Sequence, residues 1–175
     1  MNSKNYQDRI FENDGHGNFK ELKNAIPAET ISGSCARAGD INNDGLPDLF
    51  IGGRFNPGKF PSSPESYILK NKSTPGHILF EKDVTQTDST LSHPGMVTDA
   101  VWIDLNKDGW SDLVVVGQFM PITIFENHQG ILSDQTKAYG LSGTNGWWTR
   151  ILAADFDNDG DTDLVVGNLG DNTQF

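Results

Sequence analysis

The chain has 175 residues, including 19 glycines and one cysteine, and a formal charge of −11. Its 35% of hydrophobic residues, together with those glycines, suits one packed domain and excludes wholesale disorder. The charge opposes nucleic acid and anionic lipid as partners, no apolar run reaches the length of a membrane span, and a lone thiol makes no internal disulfide.

In chain order, Met1 to Tyr6 contains no apolar h-region, so no signal peptide is visible. The first predicted element is a hairpin: Ile10-Phe11-Glu12-Asn13, a Gly-containing turn, then Asn18 to Leu22. Asn before such a turn, between two apolar runs, is a hairpin signal. Cys35 follows in an apolar stretch and reads as a small buried hydrophobe. From Ala38 to Gly52 a strand enters a tight Asp-rich loop and a second strand leaves it. Gly53 to Pro64, rich in Gly, Pro and Ser, reads as a long loop. Ile68 to Asn71 and Ile78 to Glu81 form another Asn-turn hairpin, and Gly95 to Val116 repeats the strand, Asp loop, strand pattern. Ile124 to Asn127 and Ile131 to Ser133 form the third Asn-turn hairpin, and Trp147 to Gly167 carries the third Asp loop.

The alternation is an internal repeat. The first aspartates of the loops, Asp40, Asp104 and Asp155, are 64 and then 51 residues apart. That spacing suits four-stranded propeller blades with variable loops. The expected fold is all-β, with about three four-stranded β-propeller blades that are part of a larger propeller. Residues 1–175 then form a single segment, with units near 1–30 (partial), 31–90, 91–140 and 141–175 (partial). Because the last repeat stops in mid-unit, the chain reads as an excerpt. The first hairpin could complete the blade begun by Trp147 to Asn168. Within one chain that makes a tight three-blade ring, and between two chains a six-bladed dimer. Alternatively, further blades lie beyond Phe175.

Each Asp loop follows Asp-x-[Asp/Asn]-x-Asp-Gly-x-x-Asp, which predicts a calcium site. The candidate ligands are Asp40, Asn42, Asp44, Leu46 and Asp48, then Asp104, Asn106, Asp108, Trp110 and Asp112, then Asp155, Asp157, Asp159, Asp161 and Asp163. Calcium takes six to eight oxygens, and alternate oxygen-bearing side chains can converge as the backbone curls. Gly at position six permits the sharp turn. Leu46, Trp110 and Asp161, at position seven, would offer backbone carbonyls. An EF-hand would need a Glu at position twelve between helices, but Ile51, Val115 and Val166 stand there in β-like runs. The closing carboxylate is therefore at position nine. A single Asn-Asp-Gly can be an ordinary turn. Three copies with the same five specified positions, and carboxylates that would otherwise repel one another, favour metal. The third loop, with four ligand carboxylates and Asp161 beside them, should bind most tightly.

At these residues the chain resembles the FG-GAP/VCBS repeat family. The Asp-Gly-x-x-Asp-Leu stretches and the Asn-turn hairpins carry the resemblance over nearly the whole length. Gly95 to Trp102 and Gly146-Trp147-Trp148 resemble VCBS-repeat proteins of Bacteroidetes-type bacteria. The resemblance implies an extracellular or cell-surface propeller with calcium in its blade hairpin loops, used for binding.

Nothing in the chain specifies catalysis. His16, His77, His93 and His128 lack metal-pair spacing and read as exposed turn residues. No nucleophile elbow or P-loop is present. Asp99 is the best remaining carboxylate, and its plainer reading is a polar residue on a blade's inner face. Trp102 reads as core. One of Trp147 and Trp148 could stack on a sugar, although blade packing is the plainer role. Arg37, Arg54 and Arg150 could bind acidic glycans, or simply pair with local carboxylates. The expectation is a non-enzymatic, calcium-binding module of an exported bacterial protein, serving ligand binding or adhesion. Its partners would be calcium and a glycan or surface protein. The alternatives are the propeller of a carbohydrate-active enzyme, such as a polysaccharide lyase, and a structural spacer.

Overall fold

The computed structural model describes residues 6–29, 31–86 and 88–170. The described residues form short antiparallel strands and one single-turn helix. β1 (Ile10–Asn13) and β2 (Phe19–Leu22) form a hairpin. The first blade is a sheet of β3 (Gly33–Gly39), β4 (Asp48–Gly53), β5 (Tyr67–Asn71) and β6 (Phe80–Lys82), in that order. The second blade has the same meander: β7 (Met96–Ile103), β8 (Asp112–Met120), β9 (Thr123–His128) and β10 (Ile131–Asp134). β11 (Gly146–Ala154) and β12 (Asp163–Asn168) form the inner half of a third. The start of β11 also pairs with the end of β8, through Gly146 with Met120 and Trp147 with Gln118.

The inner strands explain the sequence runs. β8 opens with Asp112-Leu113-Val114-Val115-Val116, and all five residues are buried because the strand is covered on both faces. The main core lies between the first two blades and includes Ile41, Phe50, Ile68, Val97, Leu113, Val115, Phe125 and Leu132. Trp102 packs against it half-buried, and its indole N–H donates to the Arg37 carbonyl at 3.0 Å. Gly39 is required at this contact, because a Cβ there would overlap the Trp102 indole. Cys35 is likewise half-buried against this core. A second cluster, Ile51, Tyr67, Leu69 and Phe80, covers the other side of the first blade and receives Ile10, Ile26 and Ile31.

The β1–β2 hairpin thus lies, through Ile10, on the side of the first blade away from the second. Among the described residues it does not pair with β12, so the tight three-blade ring is absent from this structure. β6 begins at Phe80 rather than at Ile78, because a bridge between Thr74 and His77 extends the turn and the Leu79 N–H is taken by Ser73 Oγ. The short helix α1 (Ser89–Ser92) had no counterpart in the sequence reading. Asp88 caps it by accepting from the Thr90 N–H at 2.7 Å.

Candidate metal centres

The three Asp loops join β3 to β4, β7 to β8 and β11 to β12. Position one directly follows the first strand of each pair, and position nine starts the second. The loops share one backbone. Gly45, Gly109 and Gly160 have φ of 84°, 87° and 88°, the left-handed region that glycine tolerates. Position four is left-handed too, with φ of 56° at Asn43, 58° at Lys107 and 60° at Asn158. The sequence reading missed this second requirement. Asn at two of the three copies was its signal, since Asn enters this region more readily than most residues.

The turn draws the oxygens together. In the first loop the Asp44 N–H faces both Asp40 Oδ1 and Asn42 Oδ1 at 3.2 Å, and Gly45 N–H donates to Asp40 Oδ2 at 2.8 Å. The second loop repeats this: Asp108 N–H faces Asp104 Oδ1 at 3.1 Å and Asn106 Oδ1 at 3.0 Å, and Gly109 N–H donates to Asp104 Oδ2 at 2.9 Å. In the third, Asp159 N–H donates to Asp157 Oδ1 at 3.2 Å and Gly160 N–H to Asp155 Oδ2 at 2.9 Å. At position seven the N–H groups of Leu46, Trp110 and Asp161 each donate at 2.8 Å to the position-five carboxylate. The Leu46 bond, then the Asn42 amide, hold the Asp44 carboxyl below its usual pKa.

Calcium fits this donor set. Oxygens of Asp155, Asp157 and Asp159 lie within 4.8 Å of one another and are exposed. Two oxygens bound to one calcium at 2.3–2.6 Å can be at most about 5 Å apart. In the other two loops an amide replaces the middle carboxylate, and its Nδ2 donates to position five, from Asn42 to Asp44 at 2.9 Å and from Asn106 to Asp108 at 3.1 Å. Asp161 does not simply add charge to the third loop. Its carboxylate pairs with Lys107 of the second loop. Asn43 reaches forward in the same way, donating to the Gly109 carbonyl at 3.1 Å. Position four therefore links each loop to the next.

Position nine is different. Asp48 and Asp112 are 1% and 0% exposed. Asp48 Oδ2 accepts from Ile41 N–H at 3.3 Å and its Oδ1 from Asn71 N–H at 2.7 Å. Asp112 accepts from Leu105 at 3.0 Å and from Asn127 at 2.8 Å. Burial raises both carboxyls above the ordinary range, and the two N–H bonds oppose it. Asp163 lies outside the acidic triad, is exposed, and accepts from Phe156 N–H at 3.1 Å.

The donors Asn71 and Asn127 are the hairpin asparagines of the second motif. Asn127 is fully buried. Its Nδ2 donates to Ser111 O and to Ile41 O of the preceding blade, both at 2.9 Å, and its Oδ1 accepts from Gly130 N–H. Asn71 donates to Pro47 O at 2.9 Å. The asparagine thus clamps its own turn to the Asp loop. A further motif escaped the sequence reading: Asp83-Val84-Thr85 and Asp134-Gln135-Thr136 each close the outer strand with a Thr N–H donated to the Asp carboxylate. Asp99 is 2% exposed and accepts from Arg37, Ala100 N–H and Ile151 N–H. It joins three inner strands. His16, His77, His93 and His128 are all exposed.

The FG-GAP-like repeat family model matches residues 2–51 and 82–166. The chain belongs to the FG-GAP-like repeat family. No curated protein matches it. The interval between the two matched stretches holds the long loop after β4 and the outer hairpin of the first blade. FG-GAP-like repeats form propeller blades, in agreement with the two antiparallel four-stranded meanders.

Proposed function

We propose that this FG-GAP-like chain is a calcium-binding β-propeller module of an exported or cell-surface bacterial protein, serving ligand binding or adhesion rather than catalysis. The supporting observation is the convergence of Asp155, Asp157 and Asp159, on a loop backbone that recurs twice more in the chain. Asp40, Asn42 and Asp44, and Asp104, Asn106 and Asp108, would hold calcium in the same manner, with carbonyls of Leu46, Trp110 and Asp161 completing the sets. Bound calcium would neutralise three clusters of like charge and so stiffen the turns between inner strands. Extracellular modules bind calcium at roughly 0.1–1 mM, a range in which such sites are filled outside cells.

The test is isothermal titration of the chelator-treated chain with calcium, beside thermal melts in millimolar calcium and in EGTA. Three sites and a higher midpoint in calcium are expected. Each site adds about 2.7 kcal/mol at a hundredfold excess over Kd. No binding heat and an unchanged midpoint would overturn the reading.

A further inference from the structure

The register of the first blade places its Asp loop at one end of the strands and Gly33 with Gly53 at the other. Arg54 follows Gly53 at that far end. It lines an open cleft of about 600 Å³ with Phe55, Ser34, Thr98, Thr149 and Arg150. The chain carries 24 acidic residues against 13 Lys and Arg, so a basic cleft needs an explanation. Arg37 illustrates the ordinary outcome, since it pairs with Asp99. Among the described residues neither Arg54 nor Arg150 forms an ion pair with a carboxylate. Arg54 Nη1 is buried and has no hydrogen-bond partner. Burial, and then repulsion by Arg150, lower the pKa of Arg54. Two guanidinium groups lining one cleft, with no carboxylate among its described lining residues, are poorly arranged unless an anion joins them.

An aromatic row adjoins this pair. With the buried Gln118 amide turned so that its oxygen meets donors, that oxygen accepts from Arg54 Nη2 at 3.0 Å and from the Trp147 indole N–H. Trp147 lies 5.1 Å from the ring of Phe119, which lies 6.2 Å edge-on from Phe60. Phe119 and Phe60 are 58% and 64% exposed. Phe119 also has φ of 57°, a costly conformation for an aromatic residue that holds its ring at the surface. The face of a pyranose ring matches an exposed aromatic face, and a carboxylate or sulfate matches an arginine fork.

We propose that this cleft binds an acidic saccharide, whose oxyanion is held between Arg54 and Arg150 while a sugar ring lies against Phe119. This deepens the ligand-binding part of the function proposed above and does not depend on the Asp loops, which lie at the opposite strand ends.

The experiment titrates the intact chain, in calcium and separately in EGTA, with three tetrasaccharides: hyaluronan (carboxylates only), a sulfated chondroitin, and neutral cellotetraose. Both acidic probes are expected to bind and the neutral one not to. The tighter of the two assigns the preferred oxyanion. Arg150→Gln, at an exposed site, should weaken binding at least tenfold without changing the melting midpoint. Arg54→Gln should do the same, and Arg9→Gln should have no effect. Binding of cellotetraose as tight as that of hyaluronan, failure of both acidic probes in calcium, or unchanged binding by Arg150→Gln would each overturn the proposal. So would a pentaglutamate peptide that bound where the saccharides did not. Calcium heats are measured on the same samples, so loss of calcium binding with saccharide binding intact would defeat only the earlier reading.

Discussion

The third Asp loop and the first two share a pattern and a backbone, yet their position-nine carboxylates live in different surroundings. Asp48 and Asp112 are sealed within complete blades, and each takes one N–H from its own loop and one from the hairpin asparagine. Asp163, in the half-blade of β11 and β12, is exposed and, among the described residues, accepts the loop N–H alone. The strands differ in step: β8 is almost wholly buried, whereas β12 alternates between half-buried and exposed residues. The turn is therefore a local product of nine residues. The seal on its closing carboxylate comes from the outer hairpin.

The sharpest way to break this comparison is Asp112→Ala against Asp163→Ala. The first strands the buried Asn127 N–H and the half-buried Leu105 N–H, each costing about 1–3 kcal/mol, so a loss of about 3 kcal/mol is expected in urea unfolding. Asp163→Ala should lose a small fraction of that. Equal losses would contradict a clamp that depends on the outer hairpin. Asn127→Ala against Asn13→Ala comes next. Asn127 gives up two donated bonds and one accepted bond in a buried site, for about 2–3 kcal/mol. Asn13 is exposed and caps only Gly15, so its loss should stay within about 0.5 kcal/mol.

Acid offers a smaller and separate test. Burial pushes the Asp83 pKa up, but the Thr85 and Gln86 hydrogen bonds and the charge of Lys70 outweigh it, and the net shift is downward. With the folded value below the unfolded one, Asp83 contributes stability above the unfolded pKa of 3.8, which is lost as pH falls through the depressed folded value. Melts of the wild type and Asp83→Asn from pH 6 to pH 2 should converge at the acid end. A gap that stayed constant would rule out this linkage. The smallest effects concern the third loop's charge. Asp157→Asn should weaken calcium there several-fold, toward the other two loops. Lys107→Met should tighten it a few-fold, because Lys107 neutralises Asp161. If titration instead shows looser binding in Lys107→Met, the bridge organises the loop rather than opposing the ion.

Much of the fold was legible. The alternation of two hairpin types marked the strands near their observed bounds, because alternating burial and glycine turns leave a period-two trace. The Asp-rich turns were legible for the same reason: Gly45, Gly109 and Gly160 are needed at fixed offsets whatever surrounds them. Lys107 hid the equivalence of position four, since a lysine gives no hint of left-handed backbone. α1 was hidden because a single turn held by the Asp88 cap has no periodicity to detect.

By itself, then, the sequence determined the strands, the turns and the convergence of oxygens within each Asp loop, since these depend on backbone geometry among near neighbours. Only the tertiary structure decided which polar groups found partners. It gave Arg37 to Asp99, sixty-two residues away, gave Asp112 to Asn127, and left Arg54 and Arg150 together in one cleft with no carboxylate among its described lining residues. Such pairings depend on desolvation and charge across space. Both are set by what the fold brings opposite a side chain, not by what precedes it in the chain.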